Sequence, residues 1–138
     1  MTRNPELTAT LSGQAVRDAA PDTSAGAFPL VVISHGYPGN RYLMSHLGEN
    51  LASKGYVAVS IDHKDSTYDD AQAFSSTLYN RPLDQRFVIE AMAQLSADAG
   101  SFLAGMLDAN NTGVVGYSMG GYGLVNNLGG GYSDEIVP

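Results

Sequence analysis

Thr112-Gly113-Val114-Val115 runs directly into Gly116-Tyr117-Ser118-Met119-Gly120 and then into the helix-like Tyr122-Gly123-Leu124-Val125. A serine therefore stands at a strand-to-helix turn of the G-x-S-x-G type, the geometry of a nucleophilic hydroxyl. The serine of such a turn must take a strained backbone conformation, and Gly116 and Gly120 relieve the crowding around it. The pattern predicts a strand over 112–116 and a helix over 120–127 that small residues bring close to the sheet, ended by Gly129-Gly130-Gly131.

Upstream, Leu30-Val31-Val32-Ile33-Ser34 is a continuous apolar run of the kind buried on both faces of a parallel sheet, closed by His35-Gly36-Tyr37-Pro38-Gly39. Leu43, Met44, Leu47 and Leu51 recur at helical spacing over 42–53, and Lys54-Gly55 supplies the stop. Tyr56-Val57-Ala58-Val59-Ser60-Ile61 is a second buried strand, with Tyr56 expected in the core. Strand, helix and strand thus fit into about thirty residues, as a parallel crossover unit requires. Residues 62–80 read as a polar loop with at most a helical turn over 71–78. From Pro82, favoured in a first helical turn, Leu83, Phe87, Val88, Ala91, Met92 and Leu95 make an apolar stripe through Ser96. A short helix over 101–108 and a turn at Asn110-Asn111 complete the reading. The fold class is α/β, with parallel strands and flanking helices. Residues 1–27 form an irregular amino-terminal segment, and 28–138 belong to one domain.

Composition narrows the function. Fourteen acidic against seven basic residues give a net charge of −7, which disfavours nucleic acid or an anionic membrane surface as partner. No cysteine is present, so neither a disulfide framework nor a thiolate metal site is expected. The first residues lack an apolar signal region, and no stretch approaches the roughly 18 apolar residues of a spanning helix. A soluble location is expected, with cytoplasmic favoured over secreted.

A serine hydroxyl needs a base within reach and donors aimed at the developing oxyanion. Three histidines are available, all before Ser118. His35 is read as a structural residue of its loop, and His46 as a surface or packing residue of its helix. Asp62-His63 looks like a dyad, yet adjacent residues of an extended chain point apart, so a solvated loop edge is expected. His63, Asp65, Asp69 and Asp70 gather possible ligands for a hard cation without the spacing of an EF-hand, and no metal or cofactor is expected. Gly120 to Gly123 lacks the fingerprint of a phosphate cradle.

Three segments in order carry a wider resemblance: Pro29-Leu30-Val31-Val32-Ile33-Ser34-His35-Gly36; Leu51-Ala52-Ser53-Lys54-Gly55-Tyr56-Val57 leading to Ile61-Asp62-His63; and Gly116-Tyr117-Ser118-Met119-Gly120-Gly121. From Phe28 to about Leu128 the chain resembles the α/β-hydrolase superfamily, in its branch of dienelactone-hydrolase-like, platelet-activating-factor-acetylhydrolase-like and cutinase-like esterases. The resemblance implies Ser118 as nucleophile, the backbone N–H groups of Met119 and Tyr37 as the oxyanion hole, and Tyr37 and Tyr117 as substrate-binding walls. It also implies the third, fourth and fifth strands of an eight-stranded design.

In that fold the triad runs Ser, then Asp or Glu, then His. Twenty residues follow Ser118, none of them histidine, and Asp134 and Glu135 come too soon to be the acid. The implied protein is a serine esterase that cleaves carboxylic esters through an acyl-enzyme. Its Asp and His would come from a missing or separate carboxyl-terminal segment, bound as a complementary fragment. Gly129 to Ser133 is a stretch open to cleavage. The alternative is a catalytically inactive hydrolase-like binding module, which needs no histidine.

Overall fold

A computed structural model describes residue 10 and residues 12–130; Gly131, Asp134 and Glu135 lie outside the described residues. The architecture is α/β. Strands β1 (Phe28–Ser34), β2 (Val57–Ser60) and β3 (Leu107–Gly116) form a parallel sheet in the order β2-β1-β3. The apolar run of β1 is central and buried from Leu30 to Ser34. Successive side chains of a strand face opposite ways. Leu30 and Val32 join Val88, Met92, Leu103, Met106 and Leu107 in the core on one face. On the other face, helix α1 (Ser45–Ala52) brings Gly48 against Ile33 and Ala58. Burying a side chain such as Leu30 stabilises the fold by roughly 1.5–3 kcal/mol.

Helix α2 (Phe74–Ala97) departs most from expectation. It starts at Phe74, so 74–80 is helix rather than loop, and Pro82 lies inside it. An internal proline forfeits one backbone bond and costs about 3 kcal/mol. Here Pro82 is buried inside the continuous helix, and its carbonyl also accepts a bond from Asn127 Nδ2 at 3.1 Å. The predicted stripe is also rotated. Leu83 and Phe87 are 46% and 67% exposed, while Thr77, Arg81, Pro82, Gln85, Val88 and Met92 face inward.

Three smaller expectations change. Residues 101–105 are turns, and Leu107-Asp108 is strand instead of helix, paired with Phe28 and Pro29. The register then jumps so that Leu30 pairs with Thr112, which makes Asn110-Asn111 part of a bulge within β3. β2 is half-buried and Tyr56 is 39% exposed, because β2 lies at an edge of the described sheet. Helix α3 (Met119–Val125) follows β3 as expected and runs into a wider turn at Asn126–Gly130. No helix among the described residues is long and apolar enough to cross a membrane.

Candidate active site

Ser118 joins β3 to α3 with φ 53° and ψ −114°, a left-handed conformation that a residue with a side chain avoids. Such a conformation costs about 1–3 kcal/mol and persists only where its surroundings enforce it. The enforcement is visible. The Tyr117 N–H donates to the Ser34 carbonyl at 3.0 Å, the Gly120 N–H to the Tyr117 carbonyl at 2.9 Å, and the Tyr122 N–H to the Ser118 carbonyl at 3.1 Å. A Cβ on Gly120 would lie 2.7 Å from the Ser34 carbonyl carbon, and one on Gly116 would overlap the peptide after Gly120. Only glycine fits either position, and the turn leaves Ser118 exposed at the surface.

The loop after β1 lies against this turn. A Cβ on Gly36 would stand 3.2 Å from the Ser118 Cβ and 3.1 Å from the Tyr117 ring, so Tyr37 follows a residue in contact with the serine. The Met119 N–H opens α3 and has no intrahelical acceptor. The Tyr37 hydroxyl donates to the Gln72 carbonyl, and its ring packs edge-on against Phe74 at 5.2 Å. Tyr117 is 60% exposed, with its ring near Gly36. Ser118, Met119, Tyr37 and Tyr117 therefore share one corner of the sheet's carboxyl edge, where sites of such folds form.

Among the described residues, no histidine is hydrogen-bonded to Ser118. His35 is fully buried; its Nδ1 lies 2.7 Å from the Gly36 carbonyl, and its Nε2 accepts the His63 N–H at 3.1 Å. Those partners require the proton on Nδ1. Burial pushes the His35 pKa down to about 4, against the bond to Gly36, so the ring is neutral near pH 7. Its expected structural role agrees with this geometry.

His63 corrects the expectation of a solvated loop edge. It is 2% exposed, with Nε2 2.9 Å from Ser34 Oγ and Nδ1 2.8 Å from Asp84 Oδ2. Burial depresses its pKa despite the hydrogen bond to Asp84, so this contact is a neutral imidazole donating to a carboxylate rather than an ion pair. Asp62 turns outward to Arg41, at 2.7 Å from Nη2. Ser34, His63 and Asp84 thus have the connectivity of a catalytic triad, but Ser34 is completely buried and no substrate reaches it.

Sequence reasoning missed the polar face of α2. Arg81 donates to the His35 carbonyl and to Ser66 Oγ, and Gln85 Nε2 donates to the Gly120 carbonyl at 2.8 Å. Asp65 and Asp70 are taken up locally: Asp65 accepts from Ser76 Oγ at 2.7 Å, and Asp70 from the Asp65 N–H at 3.2 Å. Thr77, Arg81 and Gln85 recur every four residues, the available signal of one helix face, but Leu83 and Phe87 drew the apolar reading to the other side.

Residues 12–129 match the family described as PET hydrolase-like. The chain is 34% identical over 95 residues to "Cutinase est1" of Thermobifida alba, covering 69% of this chain and 28% of that protein. It is 32% identical over 104 residues to "Bis(hydroxyethyl) terephthalate hydrolase" of Streptomyces coelicolor, covering 75% and 29%. Among solved structures, a ferulic acid esterase from Streptomyces cinnamoneus superposes with a TM-score of 0.58 at 30% identity, covering 76% of this chain and 34% of that one. The chain spans under a third of the length of these curated relatives.

Proposed function

Because the chain belongs to the PET hydrolase-like family, we propose that it is the nucleophile-bearing part of a serine hydrolase that cleaves carboxylic esters. The observation that carries this reading is Ser118 at φ 53°, exposed on its turn and packed against Gly36. The Ser118 oxygen attacks the ester carbonyl carbon and passes its proton to an imidazole. The amides of Met119 and Tyr37 stabilise the oxyanion, each such donor being worth about 3 kcal/mol of barrier. Collapse expels the alcohol with that proton and leaves the acyl group on Ser118. Water, deprotonated by the same base, then releases the acid. Tyr37 and Tyr117 flank the acyl group.

The imidazole and its acid come from polypeptide beyond these 138 residues, within the same domain as 28–138. Two features support completion there. β3 has an unpaired outer edge among the described strands, and the cleft of about 390 Å³ beside it is lined by Ile89, Val114, Leu124 and Leu128 together with Arg86, Asn126 and Asn127. An open edge and an exposed apolar cleft suit a further strand and helix of the same fold. The names of the relatives point to polyester-like or aryl esters as substrates.

A fluorophosphonate probe tests the reading. In the complete assembly it labels Ser118, and Ser118→Ala abolishes labelling. An unlabelled assembly would instead mark the chain as an inactive binding module.

A further inference from the structure

A buried guanidinium is an expensive way to fill a core, since removing a cation from water costs several kcal/mol unless directed bonds replace hydration. Arg81 is 1% exposed, burial pushes its pKa down to about 10, and its Nε has no partner among the described residues. An apolar side chain of similar volume would spare that cost. What Arg81 supplies instead is direction. One Nη holds the His35 carbonyl. The other holds Ser66 Oγ, and the Ser66 carbonyl accepts the Gly39 N–H at 3.0 Å, so both bonds converge on the 35–39 loop.

Gln85, one turn further along α2 and fully buried, does the same for the opposite loop. Its Nε2 donates to the Gly120 carbonyl at 2.8 Å, while its Oε1 accepts from Asn127 Nδ2 at 3.1 Å and so orients the amide. Helix α3 lies close over both residues: a Cβ on Gly123 would come within 2.8 Å of Arg81 Cγ and 2.9 Å of Gln85 Nε2. Each anchored carbonyl is within one or two residues of an amide assigned above to the oxyanion hole: His35 precedes Tyr37, and Gly120 follows Met119.

We propose that Arg81 and Gln85 are positioning residues: two buried donors on adjacent turns of α2 hold the Tyr37 loop and the Met119 turn independently, fixing the relative placement of their amides. The inference rests on the oxyanion role of those amides, but its test does not depend on chemistry. A residue that only supported the fold would loosen the whole sheet when removed, whereas a local hold loosens one loop.

Site-resolved amide hydrogen exchange on the complete assembly distinguishes the two. Arg81→Met speeds exchange at Gly39 at least tenfold and leaves Gly120 and Tyr122 near their original rates. Gln85→Met does the reverse, and Val32 in β1 stays protected in both. Arg81→Lys, which keeps the cation but supplies a single point donor, gives an intermediate rate at Gly39. Equal acceleration at all four amides, no change at any, or failure of both Arg81→Lys and Gln85→Met to fold would overturn the proposal. Absence of Ser118 labelling in the unsubstituted assembly, with these local exchange effects intact, would instead sink the catalytic reading alone.

Discussion

The hydroxyl of Ser34 lies 2.9 Å from Nε2 of His63, in the residue whose carbonyl receives the Tyr117 amide one step before the exposed serine. A serine, histidine and aspartate are thus linked beneath the surface, while among the described residues no imidazole is bonded to Ser118. The buried set reaches the turn through the Ser34 carbonyl, which accepts the Tyr117 N–H.

Replacing Ser34 with alanine leaves a buried imidazole nitrogen without its donor, which costs about 1–3 kcal/mol. Urea unfolding of Ser34→Ala should show that loss. Peptide mapping after fluorophosphonate treatment of the complete assembly should find the adduct at Ser118 and none at Ser34. An adduct on Ser34 would reverse the assignment of the two serines.

His35 makes stability depend on acidity. Its pKa falls from 6.5 unfolded to about 4 folded, so between these values the unfolded chain binds the extra proton. Stability is complete above pH 6.5 and declines as the pH falls toward 4, by about 3 kcal/mol for this one group at about 1.4 kcal/mol per unit. His63 shifts the same way and adds to the slope. Denaturant midpoints from pH 8 to 4 measure it; a flat profile between 6.5 and 4.5 would contradict the buried neutral rings.

Gly120→Ala drives a methyl group into the Ser34 carbonyl, a backbone atom set that cannot rotate aside. The expected loss is about 3 kcal/mol or more. Gly113→Ala in β3 is the control, because a Cβ there meets nothing within 4 Å, and its effect should stay within about 0.5 kcal/mol. Chemical denaturation of both variants compares them directly.

The turn, the central strand and the α/β class were legible because each rests on local sequence: the β-branched run of β1, and the small residues flanking Ser118. The buried bracket was not. Arg81, Asp84 and Gln85 matter through carbonyls and rings 21 to 46 residues away, and no local period reports a long-range acceptor. Pro82 added to this by carrying the signal of a helix start inside a helix that begins at Phe74. Phe87 and Leu83 misled for a related reason, since hydrophobicity marks a face to be covered without saying what covers it.

Val125 at the end of α3 and Leu128 in the turn after it are 59% and 79% exposed, and Leu128 borders the cleft beside Val114 on the outermost described strand. Apolar side chains this open contribute little to the stability of the isolated chain, so Val125→Asp with Leu128→Asp should shift its unfolding free energy by no more than about 0.5 kcal/mol each. If polypeptide from the rest of the domain packs there, the same pair buries two carboxylates in the completed fold, at several kcal/mol. The double variant should therefore self-associate less than the parent in sedimentation velocity. In the full-length protein it should abolish Ser118 labelling while leaving the isolated chain folded by circular dichroism. Unimpaired labelling would show that the remaining groups dock elsewhere.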